Sequence, residues 1–248
     1  MKQRILIFTA LLFACGCLTA QGKGAAAATA DGDTVAVPTF PCWSVGAGIG
    51  LNLNIPDVEM AYMTDAVYDP AFGLGGSLDV AYRPFKWLAV HSGIHFIPKN
   101  YTYLHTATVG DQTGAVGVNS TTCNYLDVPL MADLSIGRKV KWHLFFGGYI
   151  GFWLNGKRSG ATIPLLNSDN DASFSEDYVF NSTRDNRFDA GVIFGTGLSI
   201  ACSRVVDINI GFLNLYGVTD VQKNYMMQLN PHYNTTIVLQ AGVSFNLQ

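Results

Sequence analysis

The chain has 248 residues, of which 49% are hydrophobic and 13% charged, and it carries a formal charge of −3 at pH 7. Such an apolar composition excludes intrinsic disorder. The absence of a basic excess leaves no electrostatic footprint for nucleic acid, and the length admits one large domain or two small ones.

Lys2 and Arg4 precede the apolar run "ILIFTALLFAC", which is too short to cross a bilayer as a helix and reads as an export signal. Residues 1–20 are assigned to a signal peptide cleaved after Ala20, and residues 21–41, small, polar and alanine-rich, to a flexible periplasmic lead-in. A lipid anchor on Cys15 is the alternative, and Phe13 fits it poorly. Loss of Lys2 and Arg4 takes the charge from −3 to −5. Beyond residue 20 no stretch approaches the ~20 apolar residues of a membrane helix. Cys42, Cys123 and Cys202 then remain, an odd set without metal-type spacing and no disulfide framework.

Residues 42–248 hold eight segments whose apolar residues recur at every second position, the period of a strand. In "WSVGAGIGLNLN", Trp43, Val45, Ile49 and Leu51 oppose Ser44, Gly46, Gly48 and Asn52. "LGGSLDVAYR" sets Leu78, Val80 and Tyr82 against Ser77, Asp79 and Arg83. In "WLAVHSGIHFIPK", Val90, Ile94 and Phe96 oppose His91, His95 and Lys99. "YLDVPLMADLS" places Leu126, Val128 and Leu130 opposite Asp127, Met131 and Asp133. "WHLFFGGYIGFWLNG" has Trp142, Phe146, Ile150 and Phe152 on one side, His143, Gly147 and Tyr149 on the other. "RFDAGVIFGTGLSIA" sets Phe188, Phe194 and Leu198 against Asp189, Gly191 and Ser199. "VVDINIGFLN" sets Ile208, Ile210 and Phe212 against Asp207 and Asn209, and "TTIVLQAGVSFNLQ" sets Leu239, Val243 and Phe245 against Gln240, Ser244 and Asn246.

Short connections around "PFK", "GRKVK" and "CSR" alternate with four long ones at 53–73, 103–121, 155–187 and 214–234. Eight strands, short turns at one end and long loops at the other predict an all-β fold: an antiparallel up-and-down transmembrane barrel with periplasmic turns and extracellular loops. The polar face is crowded with glycine, which suits an interior only just wide enough for side chains. Trp43, Tyr82, Trp142 and Phe245 fall near the turn end, and Phe96, Phe152, Phe188 and Phe212 near the loop end, as two interfacial aromatic levels. Outer-membrane lipid is therefore the expected surrounding, with the apolar face outward. The opposite orientation, a secreted lipocalin-like ligand carrier, is the alternative.

So arranged, the chain resembles the PorT-like outer-membrane β-barrel family, in the glycine-alternating first strand, "YLDVPLM", "GGYIGFWLNGK", "FDAGVIFGTGLSI" and "LQAGVSFNL". The resemblance covers nearly the whole region after the signal and implies an eight-stranded outer-membrane barrel. That family includes a secretion-system accessory protein, which implies an accessory role in protein secretion as an alternative function. The chain ends "FNLQ", without the terminal aromatic common in such barrels, and Phe245 stands nearest to that role.

The expected lumen network comprises Asp79, Arg83, His91, His95, Lys99, Asp127, Asp133, Lys141, Arg187, Asp189 and Asp207, whose charges should pair because unpaired buried charge is costly. His91 and His95 share a face, but four strand residues span ~13 Å, too far for one metal ion. No cofactor or metal is expected. No Gly-x-Ser-x-Gly elbow is present, and the chain is read as a non-enzyme. Pro129 within the fourth segment cannot donate to a ladder. The first long connection offers Asp57, Glu59, Tyr62, Asp65 and Tyr68 as candidate contacts for a protein partner. The acidic loops lack the spacing of a calcium loop. The expectation is a scaffold or surface-interaction module with a plugged polar lumen, whose partners engage the extracellular loops or the periplasmic rim.

Overall fold

The structure is a computed structural model that describes residues 43–58, 66–109, 112–162, 172–223 and 232–247. The expected signal peptide and lead-in lie outside the described residues, as do Glu59, Tyr62 and Asp65. Asp57 and Tyr68 are described as backbone only, in ladders opposite Tyr233 and Tyr103.

Nine strands form: β1 (Trp43–Val58), β2 (Ala66–Phe85), β3 (Leu88–Val109), β4 (Gln112–Gly137), β5 (Val140–Thr162), β6 (Ala172–Asp177), β7 (Phe188–Ala201), β8 (Val206–Gly217) and β9 (His232–Leu247). All pair antiparallel, and β1–β9 and β4–β5 ladders close the sheet. Eight strands, β6 excepted, make an up-and-down ring in which each meets its chain neighbours. Closure satisfies the backbone donors and acceptors that hydrocarbon cannot. The β2–β3 and β4–β5 turns, at Lys86–Trp87 and Arg138–Lys139, are hairpin-tight, and Cys202–Val205 join β7 to β8. Gly137 opens the second turn at φ 131°, a conformation that glycine alone adopts freely.

The expected long connections are shorter than the hydropathy pattern implies. Much of 103–121 is ladder, since β3 runs to Val109 and β4 starts at Gln112. Likewise β1 reaches Val58, β2 begins at Ala66, and β5 continues to Thr162, where β6 pairs with it. The physical reason is that a strand needs only ~9–11 residues to cross the hydrocarbon. Segments such as "YTYLHTATV" keep the Thr, Tyr and Val that favour strands but lose the regular apolar alternation of the wall. β2 to β6 thus carry a sheet past the barrel on the loop side, and β6 is its edge.

The apolar face points outward. Ile49, Leu74, Leu130, Phe146 and Ile210 are all more than half exposed, while Asn52, Asp133, Asp189 and Asp207 on the alternate positions are buried. This is the reverse of a lipocalin-like carrier, whose greasy face would line the cavity. The interior is not uniformly polar, in contrast to the expected plug. Ile97, Met131, Tyr149, Ile193, Leu213, Leu215 and Val238 form an apolar cluster within the lumen, with Phe145 against it. They occupy inward positions in runs such as "VIF" and "FLNL", where apolar residues sit on both faces and period-2 reading loses its contrast.

Candidate functional site

The lumen residues sort into clusters at successive heights. Nearest the loop end, Lys99 of β3 lies 3.3 Å from Asp127 of β4 and contacts Asp189 of β7. All three are buried. Tyr149 Oη and Thr219 Oγ1 donate to Asp189, at 3.3 Å and 2.9 Å. The Lys99 ammonium also stands 4.4 Å from the centre of the Tyr125 ring and 5.0 Å from that of Tyr149. Two carboxylates, one ammonium and two aromatic faces therefore tie β3, β4, β5 and β7 together. Gly151 makes room for this, because a Cβ there would collide with Asp127 Oδ1.

On the turn side of the apolar cluster, a cavity of about 90 Å³ is lined by Asp79, Arg83, His91, His143, Asn209 and Gln240 among others. Around it, Asp79 accepts from Ser77 at 2.8 Å and meets His95 Nε2 at 2.7 Å. Asp133 is shared by two imidazoles, His91 Nε2 at 3.0 Å and His143 Nδ1 at 2.8 Å. Nearest the turns, the Asn246 amide joins two charges: Arg83 donates to its oxygen at 2.9 Å, and its nitrogen donates to Asp207 at 3.1 Å. Sequence reasoning passed over Asn246, whose neutral amide gives no charge signal.

Two expected members do not join this network. Lys141 is half-buried and forms no ion pair among the described residues. Arg187 is not in the lumen; its guanidinium lies 4.0 Å from the Phe180 ring centre and 5.7 Å from that of Phe152, at the loop-side rim. Residue 187 precedes β7, so strand alternation does not extend to it.

The His143 imidazole also reaches Ser199 Oγ at 2.9 Å. Asp133, His143 and Ser199 thus reproduce the hydrogen-bond order of a nucleophilic triad on three strands, with no Gly-x-Ser-x-Gly elbow to announce it. Acyl transfer needs more than this row: an accessible oxygen and donors for the oxyanion. Ser199 is 4% exposed and does not line the cavity. Residues 199 and 200 are held in ladders on both sides, opposite Lys141 and Val140 and opposite Asn209 and Ile208. No adjacent pair of backbone N–H groups is left for an oxyanion.

On the outer wall, Trp43 and Tyr82 pair at 4.8 Å near the turn end, where Trp142 and Phe245 also lie. Phe96, Phe152 and Phe188 stand outward near the loop end, and Phe152 meets Phe188 edge-on at 5.5 Å. Phe212 is instead midway along β8 and half-buried, opposite Leu239. Phe72, exposed on β2, and the stacked pair Phe85–Trp87 at the first turn are outward aromatics that the assigned loop and turn boundaries left out.

Beside Lys99 at the loop end of the lumen, Cys123, Tyr125 and Trp153 form a buried cluster covered by Tyr178 and Phe180. Burial, followed by the nearby Asp185 carboxylate, pushes the Tyr178 phenol up to about 12.

Residues 41–223 match the model of the outer membrane protein beta-barrel domain family. The chain belongs to that family. Members are outer-membrane barrels, and the outward apolar wall of this one agrees with that environment. Comparison with the curated proteins finds no match. Among solved structures, Neisserial surface protein A is 13% identical, with 83% of this chain and 97% of that one aligned and a TM-score of 0.45. Ail, the attachment invasion locus protein of Yersinia pestis, is 13% identical over 84% of this chain and 100% of its own, with a TM-score of 0.38. OprG from Pseudomonas aeruginosa is 11% identical over 83% and 96%, with a TM-score of 0.45.

Proposed function

We propose that this outer-membrane barrel is a non-enzymatic scaffold with a closed lumen that presents its loop-side sheet to a protein partner at the cell surface. The observation that carries the reading is the continuation of β2 to β6 beyond the aromatic belt as one sheet. A wall that only had to cross lipid could stop at Phe152; β5 runs on to Thr162 and gains β6. Among the described residues β6 pairs on one side only, with β5, and a free strand edge is the feature used when an extended peptide adds to a sheet. The closed interior supports the scaffold role. An apolar layer and the Lys99–Asp127–Asp189 cluster stand across the bore, and the Ser199 row lacks access and an oxyanion site.

A photo-crosslinking residue at Ser175 of β6 tests this in intact cells. The reading expects a discrete protein partner at that edge and none from the turn side. A second reading, service to a protein-secretion apparatus in the manner of PorT-like barrels, is favoured by the exposed cations Lys86, Arg138, Lys139 and Arg204 that crowd the turns. Crosslinks from Arg138 or Arg204 alone, with secretion surviving removal of β6, would replace the first reading with the second.

A further inference from the structure

Arg187 sits in an unusual setting for a cation. Its face is occupied by Phe180 and Phe152, at 4.0 Å and 5.7 Å from the ring centres. Its carbonyl accepts from Trp153 N at 2.9 Å, which fixes the backbone beneath it. Phe152 and the exposed Phe188 beside it belong to the outward wall. No carboxylate pairs with Arg187 among the described residues. Asp185 is taken by Arg184, at 2.7 Å and 2.9 Å, and Asp189 points inward to Lys99. Glu176 and Asp177 lie across the ladder from Arg158 and Lys157.

Stacking uses the plane of a guanidinium and leaves its edge, where the N–H donors lie in a fork suited to phosphate. The flanking aromatics mark the level where hydrocarbon gives way to headgroups. We infer that Arg187, held by Phe152 and Phe180, is a docking site for the phosphate of an outer-leaflet lipid headgroup. The inference rests on the membrane reading of the barrel. A soluble acidic partner is disfavoured because Phe152 and Phe188, the aromatics beside the site, belong to the outward wall.

The test reconstitutes the full-length protein in phosphatidylcholine nanodiscs doped with bisphosphorylated lipid A or its dephosphorylated form, and counts retained glycolipid by native mass spectrometry. Wild type should retain the phosphorylated form preferentially. R187Q should reduce that preference about fivefold, the equivalent of about 1 kcal/mol for one basic residue near an anionic surface. F180L, which removes the support without touching the charge, should reduce it in the same direction. R204Q, at the opposite rim, should have the smaller effect. Preservation of wild-type preference in R187Q, or a loss no greater than that of R204Q, would overturn the site. If R187Q does not fold, F180L decides by the same comparison. A barrel that enters no bilayer at all would instead sink the membrane reading, and the site with it.

Discussion

Lys99 and Asp127, on the paired strands β3 and β4, meet at 3.3 Å inside the barrel, each 1% exposed. Asp189 flanks the same ammonium, so one cation serves two carboxylates. Breaking such a cluster by removing the cation leaves charge with neither water nor partner. K99M should therefore destabilise the barrel by about 3–5 kcal/mol, read from denaturant unfolding in lipid vesicles. K99M/D127N/D189N should regain most of that loss, because neutral amides tolerate the interior better. Equal stability of the single and triple variants would show that the charges are not coupled.

The Ser199–His143 contact makes an opposite kind of prediction. A fluorophosphonate probe should leave Ser199 unlabelled in the folded barrel, and S199A should cost only the value of a hydrogen bond, about 0.5–1.5 kcal/mol. Covalent labelling at Ser199 that H143A abolishes would establish a reactive nucleophile and end the non-enzymatic reading.

Tyr178 carries the pH dependence at the loop-side mouth. Its ring lies 5.3 Å from Trp153, and its folded-state phenol is raised from the ordinary 10.0 to about 12 by burial, with Asp185 adding to it. Between those values the unfolded form loses its proton first, so the mouth should lose stability as pH rises from about 10 through about 12. Tryptophan emission during denaturant titration at stepped pH should show this decline in wild type and a smaller one in Y178F. A mouth equally stable at both ends of that window would contradict it.

Substitution along β8 should depend on depth. Ile210→Arg, in the middle of the outward wall, should cost about 2–4 kcal/mol in a bilayer, and Val218→Arg, just past the strand, about 0–1 kcal/mol. Unfolding in lipid compared with detergent would reveal the gradient; equal costs at both positions would argue against a lipid-facing wall.

The strand count of the ring and the inward or outward sense of most side chains were legible because each wall segment keeps one greasy face, as in Trp43 to Leu51 or Val206 to Phe212. The reading faltered wherever that contrast disappears. β3 beyond Tyr101 loses the regular apolar alternation of the wall, so it passed for a loop. Ile97 and Leu213 face inward although apolar, so the apolar cluster within the lumen was invisible. Phe72 was assigned to a connection because the second segment was begun at Leu74. Of the inner network, the charged members announced themselves, but their partners did not: Asn246 and Ser199 are ordinary polar strand residues until three dimensions bring them to Asp207 and His143. Arg187 was placed inward by extending strand alternation one residue beyond the strand itself.

The orientation of the wall governs every other conclusion. Spin labels on cysteines replacing Ile208, Ile210 and Asn209 one at a time, with other cysteines changed to serine, would measure collision with oxygen and with a water-soluble nickel reagent in reconstituted vesicles. Labels at 208 and 210 should be open to oxygen and shielded from nickel, while the label at 209 should show low oxygen access. High nickel access at 208 and 210 would place that face in water and contradict the barrel's membrane assignment.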